Sequence, residues 1–431
     1  MSKLIRINKG LDIQLEGKAE KIYQRAERAA TYAVKPTDFY GVMPKLLVKP
    51  GDEVKVGTAL FFDKYHPEVK FTAPVSGTIS TINRGERRRI LEVVIEAAPQ
   101  DSYLEFKTGD PKKMERETIM SLLMESGMWP VLQQRPFAII ADAARVPKAI
   151  FISGFDSSPL APDLDYIVKD EAEIFQKGVD VISRLTNGKV HLTVNADYPP
   201  CKTYADAKGL ELHQIKGPHP AGNVGIQIHH IDPVNKGEVV WYIHPLDVIR
   251  LGRLFRDGKV DNSAVVALTG SEVKKPLYYK MIQGAAVEYL VNGNVEDGNY
   301  RIISGNVLTG ETLNKKGYIG FYHHQVTIIP EGDHYEFLGW ALPGIDKYSM
   351  SRTFFSWLTP SKKFRLHTNL NGGHRAFVMS GEYEKVLPMD ILPVHLLKSI
   401  LVEDIDKMEQ LGIYEVAEED LALCEFVCTS K

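Results

Sequence analysis

Two cysteines near the C-terminus, Cys424 and Cys428, stand at a spacing that iron–sulfur chemistry uses. The run C-x2-C-x2-C-x3-C-P supplies cluster thiolates, and Cys424-x3-Cys428 fits its last two positions. Glu418 and Leu421 hold the first two, and Thr429 stands where proline would follow. Two thiolates alone cannot hold a four-iron cluster, so the register is degenerate, and both cysteines also read as buried helix positions one turn apart. Histidine is the next candidate ligand, and the chain has 13. His229 and His230 follow the alternating run GIQI, which predicts a strand with the two rings on opposite faces. Such rings cannot share one zinc, and no metal site is expected at any histidine. Phosphate binding lacks its loops as well: there is no G-x-G-x-x-G, no Walker A run and no G-x-S-x-G elbow. KGPHPAGNVG (Lys216–Gly225) is glycine-rich, but its two prolines remove N–H donors that a phosphate would need. The chain is expected to carry no metal, cluster or flavin of its own.

What could bind lies in loops. Ala149–Ser153 is a short apolar run, the sign of a buried parallel strand. The loop Phe155–Asp163 follows. Asp165–Thr186 then carries a helical stripe of Ile167, Val168, Ile174, Phe175, Val179, Ile182 and Leu185. Asn187-Gly188 stops it, and Val190–Val194 is again strand. Strand, helix and strand make a βαβ unit, and ligands of such sheets sit beyond the carboxyl ends of the strands. Phe155 and Asp156 therefore stand at the mouth of the expected site, with backbone N–H groups near Ser157 and Ser158 as donors. Asp156 would orient a donor or cap the helical segment that follows. Phe137, in a strand RPFAII, is an apolar wall. Phe39 and Tyr40, in the proline-containing loop KPTDFYGVMPKL, are a second wall.

The totals describe the body that holds these loops. The chain of 431 residues is 44% hydrophobic and 25% charged, an ordinary globular balance. A net charge of −3 gives no global field for nucleic acid. Three cysteines suit a reducing compartment. MSKLIRINKG lacks the apolar core of a signal peptide, and no apolar run approaches the roughly 20 residues of a membrane span. Work at a membrane would then proceed from its side, through a partner. The chain stops soon after Cys428, as a truncated chain would.

Val48–Gly77, VKPGDEVKVGTALFFDKYHPEVKFTAPVSG, resembles half of a biotinyl or lipoyl domain, a barrel-sandwich hybrid. Lys64 stands near the position of the modified lysine. Gly57 precedes it by only seven positions, short of a full strand, and Pro67 interrupts the return. Lys64 is expected to be unmodified. Arg84, Arg87, Arg88 and Arg89 read as a hairpin tip, solvated or docking an acidic partner. Residues 1–100 form this first domain, 101–258 a Rossmann-like α/β domain, and 259–330 a β-grasp module resembling soluble-ligand-binding domains. That module opens on the strand Ala264–Gly270 and carries an amphipathic helix with Val287, Leu290 and Val291. Residues 331–431 are a mixed segment that ends in helices with the degenerate register. The fold class is multidomain α+β and α/β.

This order of domains is shared by the C subunit of the Rnf complex and, with another N-terminus, by the FMN-binding subunit of complex I. RINKGLDI, FFDKYHPEVKFTAPVSGTI, KGPHPAGNVG, HPLDVIRLGRLF and EEDLALCEFVC resemble most closely the A-subunit family of the Na+-translocating NADH:quinone oxidoreductases. The resemblance implies a peripheral subunit on the cytoplasmic face of a bacterial inner membrane, beside a membrane-embedded partner. It implies quinone as substrate, ubiquinone or menaquinone, with reduction to quinol coupled to Na+ export. Flavins, iron centres and NADH belong to partner subunits, and the isolated chain is not expected to catalyse. Phe155, Asp156, Phe137, Phe39 and Tyr40 then become the candidate quinone contacts. The alternative is a scaffold that holds membrane partners and has no quinone site.

Overall fold

The computed structural model describes residues 4–333 and 336–430. Two small sheets form the barrel-sandwich hybrid. One orders the strands Thr31–Val34, Ile90–Ala97, Gly77–Arg84 and Glu53–Val54; the other orders Pro44–Leu46, Ala59–Asp63 and Lys70–Thr72. Their inner faces meet over Val54, Leu60, Phe71, Ile79 and Ile95. Phe61 stacks on Phe71 with centroids 4.6 Å apart. The segment around Lys64 turns between two short strands, and its return begins only at Lys70, past Pro67. Lys64 is exposed, and its N–H donates to the Met43 carbonyl. The arginine cluster sits at the exposed tip of the hairpin Gly77–Ala97.

A seven-stranded sheet lies at the centre. Its order is Leu4–Arg6, Glu211–Lys216, Lys189–Asn195, Ala149–Ser153, Val240–Ile243, Gln133–Arg135 and Ile139–Ile140. The first five strands run parallel. Both faces are covered, so the Ala149–Ser153 run is apolar throughout. Ala149 and Phe151 pack under the helix Val224–Ile231, while Ile150 and Ile152 join the core on the other face. There the helices Ala172–Ile182 and Pro245–Asp257 pack together. A Cβ on Gly178 would lie 2.0 Å from the Val248 carbonyl oxygen, and one on Gly252 2.0 Å from that of Ile174, so both helices need glycine at the crossing.

A six-stranded sheet orders Glu311–Leu313, Tyr300–Ser304, Gln325–Pro330, Ser263–Thr269, Leu277–Ile282 and Glu20–Arg25. The first hundred residues thus feed all four sheets: besides the two small ones, Leu4–Arg6 extends the central sheet and Glu20–Arg25 the six-stranded one. Period alone cannot assign a three-residue strand to a distant partner. The C-terminal segment ends in the helices Pro393–Leu401, Ile405–Gln410 and Glu418–Phe426.

Several expected elements differ in detail. The stripe over 165–186 is two helices, Leu164–Val168 and Ala172–Ile182, parted at Lys169-Asp170. The amphipathic helix near Val287 is a single turn, Glu288–Val291. His229 and His230 lie on the helix Val224–Ile231 rather than a strand, because the buried apolar run is covered by packing on both sides. His229 binds Glu415 through Nδ1 at 2.6 Å and accepts from the Asp390 N–H; His230 Nε2 contacts the Pro388 carbonyl at 2.9 Å. Both tie the C-terminal segment to the sheet.

Candidate functional site

In the central sheet the chain passes from Ala149–Ser153 outward through Lys189–Asn195 to Glu211–Lys216, then returns to lay Val240–Ile243 on the other side of Ala149–Ser153. The strand order therefore reverses between Ala149–Ser153 and Val240–Ile243. Loops leaving neighbouring strands in opposite directions open a crevice at their carboxyl ends, the general ligand position of open α/β sheets. A cleft of about 1320 Å³ occupies that place. Its floor is the turn after Ser153 and the segment from Tyr242 to Asp247. One wall is His219 and Gly222 from the glycine-rich loop. Another runs from Tyr322 to Gln325, at the entry to a strand of the six-stranded sheet, and the helix Glu418–Phe426 closes the top.

The structure brings Phe155, Asp156, Phe137 and Tyr40 to this cleft and leaves Phe39 outside it. Phe39 is 3% exposed and packs on Phe71 and Phe321, with centroids 4.5 and 4.9 Å away. It belongs to the core that joins the barrel-sandwich hybrid to the six-stranded sheet. Tyr40, the next residue, points the other way and is 70% exposed at the rim. Phe137 is not in a strand. It occupies the turn between Gln133–Arg135 and Ile139–Ile140 at φ +80°, exposed and edge-on to Tyr414. Phe155 is 5% exposed, and most of its ring is committed to the core with Ile5, Ile215 and Ala221. Asp156 caps no helix. Its Oδ1 accepts from the Ser158 N–H at 2.7 Å, closing a turn within the loop, and Asp163 caps the helix that follows by accepting from Tyr166. The Ser158 N–H is thereby used, but its buried Oγ has no partner and lines the cleft.

The polar walls were not readable beforehand. Ser157 Oγ and His219 Nδ1 lie 3.0 Å apart, and the Gly222 N–H donates to the same hydroxyl at 2.8 Å. A Cβ at Gly222 would sit 2.4 Å from the Ser157 nitrogen, so the two loops touch through glycine. His323 Nδ1 pairs with Ser304 Oγ at 2.8 Å, and burial pushes its pKa down to about 4. His244 and His324 stack at 4.2 Å and 15°. His244 begins the helix Pro245–Asp257, a position that His-Pro followed by Asp247 does signal. Its pairing with His324, eighty residues later, carries no local signal.

At the top, Arg135 is fully buried, with Nη1 2.7 Å from Asp420 and Nη2 2.5 Å from Glu419. Burial opposes its charge, but the two carboxylates hold its pKa above the ordinary value. Glu419 keeps 40% of its side-chain surface open. That surface lines the cleft. Burial raises the pKa of its carboxyl against the pull of Arg135. Glu418, Leu421, Cys424 and Cys428 all line the cleft, but Cys428 lies past the helix end at Phe426 and is only half-buried, so of the two cysteines expected as buried helix positions only Cys424 is one. Cys424 is buried and its thiol is pushed up to about 12, chiefly by burial. Tyr383 Oη lies 2.9 Å from Cys428 Sγ. Among the described residues no helix is long and apolar enough to cross a membrane.

Comparison with known proteins adds an independent finding. Residues 5–98 match the family described as the NqrA N-terminal barrel-sandwich hybrid domain, 114–260 the NqrA second alpha/beta domain, and 265–315 the NQRA C-terminal domain. The A-subunit of the Na(+)-translocating NADH-quinone reductase of Yersinia pestis bv. Antiqua is 41% identical over 99% of this chain and 96% of that protein. Its counterpart in Neisseria meningitidis serogroup A has the same identity and coverage. Among solved structures, an NAD+-reducing [NiFe]-hydrogenase in its air-oxidised state aligns over 51% of this chain and 45% of that chain, at 12% identity and a TM-score of 0.34.

Proposed function

The chain belongs to the A-subunit family of the Na+-translocating NADH-quinone reductases, and from that premise we propose that its switch-point cleft receives a quinone headgroup. The observation that carries the reading is the site of the cleft, between the carboxyl ends of Ala149–Ser153 and Val240–Ile243. Tyr40 and Phe137 form an aromatic rim for the ring and the first isoprene units. Ser158 Oγ is a buried hydroxyl with a hydrogen bond to give, and a quinone carbonyl can take it. Asp156 holds the Ser158 turn in shape rather than touching the quinone. In this reading the chain sits peripherally at the cytoplasmic face, next to a partner embedded in the membrane. It contributes to reduction of quinone to quinol coupled to Na+ export, while flavins, iron centres and NADH stay on partners. Phe39, sealed in the core, makes no contact, and Phe155 contributes only the edge of a buried ring.

The test is photo-crosslinking with a reactive quinone analogue in the assembled complex. Labels are expected on peptides containing Tyr40, Phe137 or Ser158. Tyr40→Ala and Phe137→Ala should raise the quinone KM several-fold, on the order of 1 kcal/mol of lost contact each, with kcat largely kept. Labels confined to the partner chains, with both variants unchanged, would replace this reading with the scaffold role.

A further inference from the structure

Two stacked imidazoles and a carboxylate meet at one corner of the cleft. His244, Asp247 and His324 each present a ligand atom, and the three atoms lie within 4.8 Å of one another. They come from two separate parts of the chain. His244 and Asp247 occupy the start of the helix Pro245–Asp257, and His324 immediately precedes the strand Gln325–Pro330. All three line the cleft. His324 Nδ1 is buried with no hydrogen-bond partner, which costs free energy unless something else meets it.

We propose that His244, Asp247 and His324 form a binding site for a divalent transition metal ion, zinc being the ion the donor set suits best. Two imidazole nitrogens and one carboxylate oxygen are a known three-ligand set for zinc, with the fourth position left open. Here the open position faces the cleft. As they stand the imidazoles stack nearly parallel, with their in-plane lone pairs side by side rather than convergent. His244 Nδ1 accepts a long hydrogen bond from the Leu246 N–H at 3.4 Å, which an ion bound at that nitrogen displaces, whereas His324 Nδ1 has no bond to give up. The carboxylate is fixed from behind: Arg250 Nη1 donates to Asp247 Oδ1 at 2.8 Å, and Arg250 Nη2 is itself held by Asn262 Oδ1 at 2.9 Å. Outer-shell hydrogen bonds of this kind orient metal ligands. The guanidinium also lowers the negative charge of the site, so binding is expected to be moderate rather than very tight. Zinc bonds of about 2.0–2.2 Å bring ligand atoms to roughly 3.4 Å from one another, so binding turns at least one imidazole out of the stack as well as drawing the three atoms together.

A second histidine cluster, His191, Glu211 and His213, lies on the strands Lys189–Asn195 and Glu211–Lys216. Its two rings are already bonded to each other, Nδ1 to Nε2 at 2.9 Å, and it serves as the internal control. The full chain, stripped with chelator, is titrated with Zn2+ by calorimetry and with Co2+ by absorption. One ion per chain is expected, and Co2+ should give the intense ligand-field bands of a four- or five-coordinate site. His324→Ala should weaken binding at least tenfold, and His191→Gln should leave it unchanged. His324→Gln, close in size, covers the case in which the alanine variant does not fold. No Zn2+ binding, the weak bands of a six-coordinate aqua ion, or affinity retained in the His324 variants and lost in His191→Gln would each overturn the assignment. None of these readouts depends on quinone, so the site stands or falls apart from the proposed function.

Discussion

His191 shows how one buried ring makes the fold sensitive to acid. It is 4% exposed, lies 4.6 Å from the ring of Phe151, and shares a proton with His213. Burial, and secondarily the neighbouring imidazole, push its pKa down to about 4. In the unfolded chain a histidine takes its proton near 6.5. Between those values the unfolded chain binds more protons, so stability is full above about pH 6.5 and falls as pH drops toward 4. His191→Gln removes the titration and keeps a hydrogen-bonding side chain. From pH 7 to pH 5 the wild type is expected to lose roughly 1–2 kcal/mol more than this variant. Urea denaturation at the two pH values checks it, and equal losses would sink the idea. The residue scale is also where sequence reading had the least purchase. Phe39 and Tyr40 are adjacent and look equivalent in a loop, yet one fills the core and the other is open. What separates them is contact with Phe71 and Phe321, and the latter arrives nearly three hundred residues later.

At the scale of elements the crossing of Ala172–Ile182 and Pro245–Asp257 sets the height of the sheet's helical cover. Alanine is the better helix former, by about 1 kcal/mol per residue over glycine. Propensity alone would make Gly252→Ala stabilising. The 2.0 Å approach to the Ile174 carbonyl oxygen reverses the sign, because backbone cannot step aside as a side-chain end can. A net loss of about 1–3 kcal/mol is expected for Gly252→Ala. Gly178→Ala should add less than its own cost on top, since one separation of the helices relieves both clashes. Denaturant midpoints of the two single variants and the double variant decide this. The elements themselves were legible where burial was continuous. The Ala149–Ser153 run, the stop at Asn187-Gly188 and the strand after it all lie where pattern put them, and they located the cleft. The helix carrying His229 was misread because four alternating residues do not distinguish a short strand from one helical turn in a doubly covered layer. The Arg135 clamp on Asp420 and Glu419 gave no signal, since nothing local ties positions so far apart.

For the molecule as a whole, that clamp is what seats the C-terminal helices over the cleft. Removing one partner of a buried ion pair strands the other charge. Arg135→Ala is expected to cost about 3–5 kcal/mol, most of it from Asp420, whose side chain has no exposed surface. Adding Asp420→Asn should recover part of that loss, because the stranded charge goes with it. Thermal melts and hydrogen exchange over residues 383–430 distinguish a local lifting of the roof from global unfolding. An alanine variant as protected there as the wild type would show that packing of Leu423 and Val394 in the shared core suffices without the ion pair.

The strand Leu4–Arg6 lies beside Glu211–Lys216, Arg6 opposite Lys216. On the ribosome these partners emerge about 210 residues apart, which at roughly 5–20 residues per second is on the order of ten to forty seconds. Throughout that interval the N-terminus has no ladder to join, and an unpaired strand is open to chaperones, proteases and neighbouring nascent chains. Arrested chains of graded length, digested briefly, should lose their first residues until synthesis has passed Lys216 and keep them afterwards. Protection already in chains of a hundred residues would mean that the N-terminus finds another shelter first.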